Sequence, residues 1–131
     1  MSLELPADIE PHLGVNNDRD WTDPAVYALT LEKPDLIGSV WDDNFDTRPS
    51  YFEDLRECDQ VVYVGATGNL IARLEDHRDG HVRQAALMQV CEIDSLRNVW
   101  WFDDASRAFE QESGLAIAMQ NNYPDYYVHS R

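Results

Sequence analysis

The stretch Gln60–His77, Gln-Val-Val-Tyr-Val-Gly-Ala-Thr-Gly-Asn-Leu-Ile-Ala-Arg-Leu-Glu-Asp-His, changes its periodicity halfway along. Gln60–Ala66 is rich in β-branched residues and reads as a strand that ends at Thr67-Gly68. Beyond it the period becomes helical: Leu70, Arg73, Leu74 and His77 fall on one stripe at i, i+3, i+4 and i+7. Thr67 is placed to cap this helix and Gly80 to end it. A strand that runs through a short turn into a helix requires a sheet with a helix laid on it.

Upstream, Ala25–Leu31 alternates, with Tyr27, Leu29 and Leu31 on one face and Val26, Ala28 and Thr30 on the other, which predicts a first strand. Between the two strands lies an insertion, Lys33–Asp59, in which Pro34 and Pro49 suit the first turns of two short helices. Downstream, His81–Val90 reads as a short helix and Asn98–Phe102 as a third strand. Asp103 or Asp104 then caps a long helix to about Asn122, with a stripe of Ala105, Ala108, Phe109, Glu112, Leu115, Ala116 and Met119. Tyr126-Tyr127-Val128 suits a short edge strand.

The expected fold is therefore α/β, of the α+β type. A small central, mainly antiparallel three-stranded sheet is flanked by helices in the order β-β-α-α-β-α, with a helical insertion between the first two strands. Residues 1–24 read as a polar arm and residues 25–131 as one domain. At 131 residues, 44% of them hydrophobic, the chain has the size and material for one ordinary core. Fourteen aromatic residues (four Trp, six Tyr, four Phe) argue against a disordered coil. No apolar run approaches the roughly 18 residues of a membrane span, and no signal peptide is visible at Met1–Pro6. With only Cys58 and Cys91, neither a disulfide framework nor a zinc cage is expected, and a cytoplasmic setting with reduced thiols is.

Charge is the unusual feature. Twenty-five acids against ten bases leave a net charge of −15, and Lys33 is the only lysine. An acidic face that mimics DNA or binds a basic partner is one reading. The other, which the spread of acids from Asp8 to Asp125 favours, is adaptation to molar salt.

Two residues break the helical stripes. Arg73 and Glu112 each stand where an apolar residue is expected, and a buried charge must find a partner, a wet cleft or an ion. Glu110 falls off its stripe and is expected to be solvated, which makes Glu112 the better candidate for chemistry.

Tyr63-Val64-Gly65, followed by Thr67-x-Asn69-Leu70-x-x-Arg73-Leu74-x-x-His77, resembles the signature of the GIY-YIG nuclease family. Ala25-Val26-Tyr27 is similar to the family's first triplet, and Ala108-x-x-x-Glu112-x-x-Leu115 to its metal-binding helix. The resemblance covers roughly Pro24 to Pro124 apart from the insertion, which separates the triplets more widely than the family does. It implies a metal-dependent endonuclease that hydrolyses phosphodiester bonds, with DNA as the expected substrate.

By this resemblance the catalytic set is Tyr27, Tyr63, Arg73, His77 and Glu112. Glu112 would hold one Mg²⁺ (or Mn²⁺), the remaining positions being filled by water and phosphate. Arg73 would grip phosphate oxygens in a planar fork. Arg78 and Arg83, which with Arg73 form a local exception to the acidity, are the further expected nucleic-acid-binding residues. Tyr27 would orient or deprotonate the attacking water, Tyr63 would support the site, and His77 would relay a proton or contact phosphate. The rival expectation is a catalytically inactive module that binds nucleic acid or a protein partner. It is favoured by the acidic surface and by Asp125 following Pro124, where the family often carries asparagine.

Overall fold

In the computed structural model, residues 22–79 and 86–130 are described, with the backbone alone at Arg78 and Asp79. The first strand, β1 (Ala25–Glu32), is followed by two short helices, α1 (Ile37–Asn44) and α2 (Phe52–Glu57). Strand β2 (Gln60–Thr67) leads into α3 (Leu70–Asp79), and α4 (Ala86–Val90) precedes β3 (Glu92–Trp101). The long helix α5 (Ala105–Asn122) and strand β4 (Tyr126–Ser130) complete the described chain. Among the described residues no helix is long and apolar enough to cross a membrane.

Among the described residues the sheet has four strands in the order β3-β1-β2-β4, not three. β1 pairs antiparallel with both β2 and β3, whereas β4 lies parallel to β2. The fourth strand is where the expected three-stranded sheet needs correction. Tyr126–Ser130 is short and half-buried throughout, so its pattern alone hardly separates it from a tail, yet it pairs with β2 along its whole length.

β1 is buried on both faces because strands flank it and helices cover it. Its odd-numbered residues, Ala25, Tyr27, Leu29 and Leu31, join the core beneath α1–α4. Its alternate residues, Val26 and Ala28, meet Val62, Val64 and Ala66 of β2 under Ala108, Ala116 and Met119 of α5. The molecule is thus layered helix–sheet–helix, with the insertion helices and α3 on one face and α5 on the other. Trp41 and Phe52 of the insertion are each 2% exposed and belong to the main core.

Several boundaries move. β3 starts at Glu92 rather than Asn98, and its register against β1 shifts between Ala28 and Leu29 and again between Thr30 and Leu31. Arg97 and Asp94 are the extra residues, so Ile93, Leu96 and Val99 share one core at intervals of three and the alternation is lost. Thr67 is the last residue of β2, not the cap of α3; Asn69 accepts from the Ala72 amide through its side chain and fills that role. Asp104 caps α5 by accepting from the Arg107 amide at 2.8 Å. Phe109, expected on the buried stripe of α5, is instead 45% exposed.

Candidate active site

Tyr27 lies on β1, one of the two inner strands, opposite Gly65 on β2 and Val99 on β3. Its ring crosses directly over Gly65: a Cβ there would stand 2.6 Å from the phenolic oxygen. Glycine at 65 is therefore a matter of space, because any side chain would displace the Tyr27 hydroxyl. α3 leaves β2 after a short turn and carries Arg73 and His77 one turn apart on its stripe, which brings both over Tyr27. Arg73 Nε donates to the Tyr27 oxygen at 3.3 Å, and His77 Nε2 lies 2.8 Å from the same oxygen.

The protonation states follow from burial. The Tyr27 phenol is wholly buried, and desolvation raises its pKa well above the usual value; the Arg73 hydrogen bond pulls the other way, while Tyr63 and the Glu112 charge push further up. His77 is pushed down to about 4, first by desolvation and then by the Arg73 charge. Arg73 remains a cation: burial acts to lower its pKa, but its hydrogen bond to Tyr27 and the nearby phenols outweigh that and raise it. Tyr27 consequently keeps its proton near neutral pH. One lone pair of its oxygen accepts from Arg73, and its O–H donates to Nε2 of a neutral His77. The ring proton of His77 then resides on Nδ1.

Tyr63 lies on the same face of β2, two residues before Gly65, with its ring edge-on to His77 at 6.1 Å between centroids. Tyr27, Tyr63, Arg73 and His77 thus form one group on one face of the sheet. Glu112 arrives from elsewhere. It is 7% exposed on the stripe of α5 that packs on the opposite face, and its negative charge is nonetheless felt at Tyr27. The side chain of Arg78 and the whole of Arg83 lie outside the described residues.

Among the described residues no three His, Cys, Asp or Glu side chains are grouped as a metal cage. A single buried carboxylate is nevertheless the donor set that suits Mg²⁺, which keeps several waters and binds through one or two carboxylates plus substrate phosphate. Glu112 is the buried carboxylate that could hold such an ion here. A cation bound to it would reverse the sign of its push on the Tyr27 phenol.

Sequence reasoning missed three participants. The space Gly65 leaves for Tyr27 depends on strand register, which one strand's sequence does not contain. Tyr127 and His129 alternate along β4 and face the same side, next to Tyr63; that period-2 pairing of a phenol with an imidazole was the available signal. No protein-family model, no curated protein and no solved structure matches the chain.

Proposed function

We propose that this protein is a metal-dependent endonuclease-like domain that hydrolyses phosphodiester bonds of nucleic acid, with DNA as its expected substrate. The observation that carries the reading is the hydrogen-bonded chain Arg73–Tyr27–His77 on one sheet face with Tyr63 beside it. Phosphodiester hydrolysis needs a directed water, a destination for its proton, and positive charge on the phosphoryl oxygens. Each task has a residue. The second lone pair of the Tyr27 oxygen accepts from the attacking water, and the proton that Tyr27 already donates to His77 completes the transfer.

Moving both protons together avoids a free tyrosinate, which burial makes costly at this position. Arg73 stabilises charge at the Tyr27 oxygen and on the phosphate. Glu112 would hold Mg²⁺ or Mn²⁺, and the bound ion would supply Lewis-acid stabilisation of the phosphoryl and leaving oxygens. Tyr63 supports the packing of His77.

Cleavage of a panel of linear and branched DNAs, at high KCl with Mg²⁺ or Mn²⁺, tests the reading. Glu112→Gln and Arg73→Ala should each lower the rate by about 10²-fold or more with the fold retained. Activity that survives both substitutions removes these residues from the mechanism.

The second reading, an inactive module that binds nucleic acid or a protein partner, is favoured by the complete burial of Tyr27. It predicts binding with no turnover, and equal affinity in wild type and Glu112→Gln.

A further inference from the structure

Tyr63 is flanked by imidazoles on two sides. His77 meets it edge-on, and on the other side His129 of β4 lies against it with ring centroids 6.2 Å apart and planes within 24°. The parallel pairing of β4 with β2 sets Tyr63 directly beside His129, although 66 positions separate them in the chain. His129 is itself held. The Tyr127 hydroxyl lies 2.9 Å from its Nδ1, and Tyr51 meets its ring edge-on at 5.2 Å while stacking on Tyr127 at 5.5 Å.

We propose that His129 is a further positioning residue of the site, holding the Tyr63 ring against His77, with Tyr127 fixing its orientation. The role in turnover rests on the phosphodiesterase reading above; the clamp on Tyr63 does not. The titratable groups that face His129 are three phenols, Tyr51, Tyr63 and Tyr127. Burial and the neighbouring Tyr51, Asp54 and Cys58 raise the Tyr127 pKa, so that hydroxyl keeps its proton and donates it to Nδ1. Burial also lowers the pKa of His129, which leaves a neutral ring with its proton on Nε2. One neutral tautomer in a fixed plane is what a stacked support requires: its orientation is set by a single hydrogen bond. Positioning matters at this range because a misplacement of about 1 Å at a reacting group can cost about 10²-fold in rate.

Two measurements on the full chain test this. In NMR spectra of the imidazole nitrogens, His129 should report the Nε2–H tautomer, and Tyr127→Phe should mix the tautomers. Tyr63 ring flips should accelerate in His129→Ala and return to the wild-type rate in His129→Phe, which keeps a stacking ring and secures the test should the alanine variant fold poorly. In cleavage assays, His129→Ala should lower kcat about tenfold with KM nearly unchanged, and His129→Phe should restore most of it. Unchanged Tyr63 ring motion in both His129 variants overturns the clamp, whatever cleavage shows. If Glu112→Gln abolishes cleavage while His129→Ala keeps full kcat, the positioning role is overturned and the nuclease reading stands. If Glu112→Gln changes nothing, the nuclease reading falls, and the ring-flip result alone decides for or against the clamp.

Discussion

Gly65 and Tyr27 illustrate how closely the site is fitted. A methyl group at 65 would overlap the Tyr27 hydroxyl, and the Tyr27 ring is itself fully buried. Gly65→Ala should therefore cost about 1–3 kcal/mol in denaturant unfolding and should also disturb the Tyr27–His77 hydrogen bond, visible as a shifted His77 imidazole resonance. His77 makes a second prediction. In the unfolded chain it takes up a proton near 6.5, in the folded protein only near 4, so between these values the unfolded state binds more protons. Stability should fall by roughly 3 kcal/mol as pH drops through that window, with His129 adding in the same direction. The slope of unfolding free energy against pH between 6.5 and 4 should be markedly smaller in His77→Gln; an equal slope would mean that His77 is not the titrating group. Of the residues in this group, Arg73 stood out in the sequence because it interrupts an apolar helical stripe, whereas Tyr27 and His77 were singled out only by the family resemblance. Gly65 and His129 were not, because each matters only through the register of a neighbouring strand.

At the scale of elements, legibility follows regularity. β1 was readable by its alternation and β2 by its β-branched residues, whereas the two bulges of β3 spread its core residues to every third position and hid its first half. Phe109 was misplaced on α5 because its helical phase suits burial, while the sheet beneath is narrow enough that Ala108, Glu112, Ala116 and Met119 suffice. Lys33, the only lysine, has an element-level task. Its ammonium group donates to the carbonyls of Arg56 at 2.8 Å and Cys58 at 2.5 Å, just where α2 leaves its last amide acceptors exposed. Lys33→Met should lower stability by about 1–2 kcal/mol, measured by urea unfolding, and a neutral result would mean that water replaces the ammonium without penalty. Asp104→Ala, which removes the cap of α5, should cost about 1 kcal/mol in the same assay.

The whole molecule carries a net charge of −15 on a three-layer frame that buries Tyr27, Tyr63 and His77 and leaves Arg73 partly exposed. Repulsion among surface carboxylates is long-ranged at low ionic strength and weakens as the screening length falls from about 10 Å at 0.1 M salt to about 3 Å at 1 M. The unfolding midpoint in urea should rise as KCl is increased from about 0.1 M to about 1 M. A midpoint that falls would mean that the acids are compensated in pairs rather than repelling one another. The hydrogen bonds of Arg73, Tyr27 and His77 are buried or partly buried, and screening should affect them little. The central place of β1 has a further bearing, on exchange of amide hydrogens with heavy water. Among the described residues β3 and β4 each have a strand on one side only and can fray, but the amides of Ala25–Leu31 have a strand on both sides. Their deuterium uptake should wait for the opening of the entire domain, so the backbone that bears the Tyr27 phenol should be among the last in the protein to label.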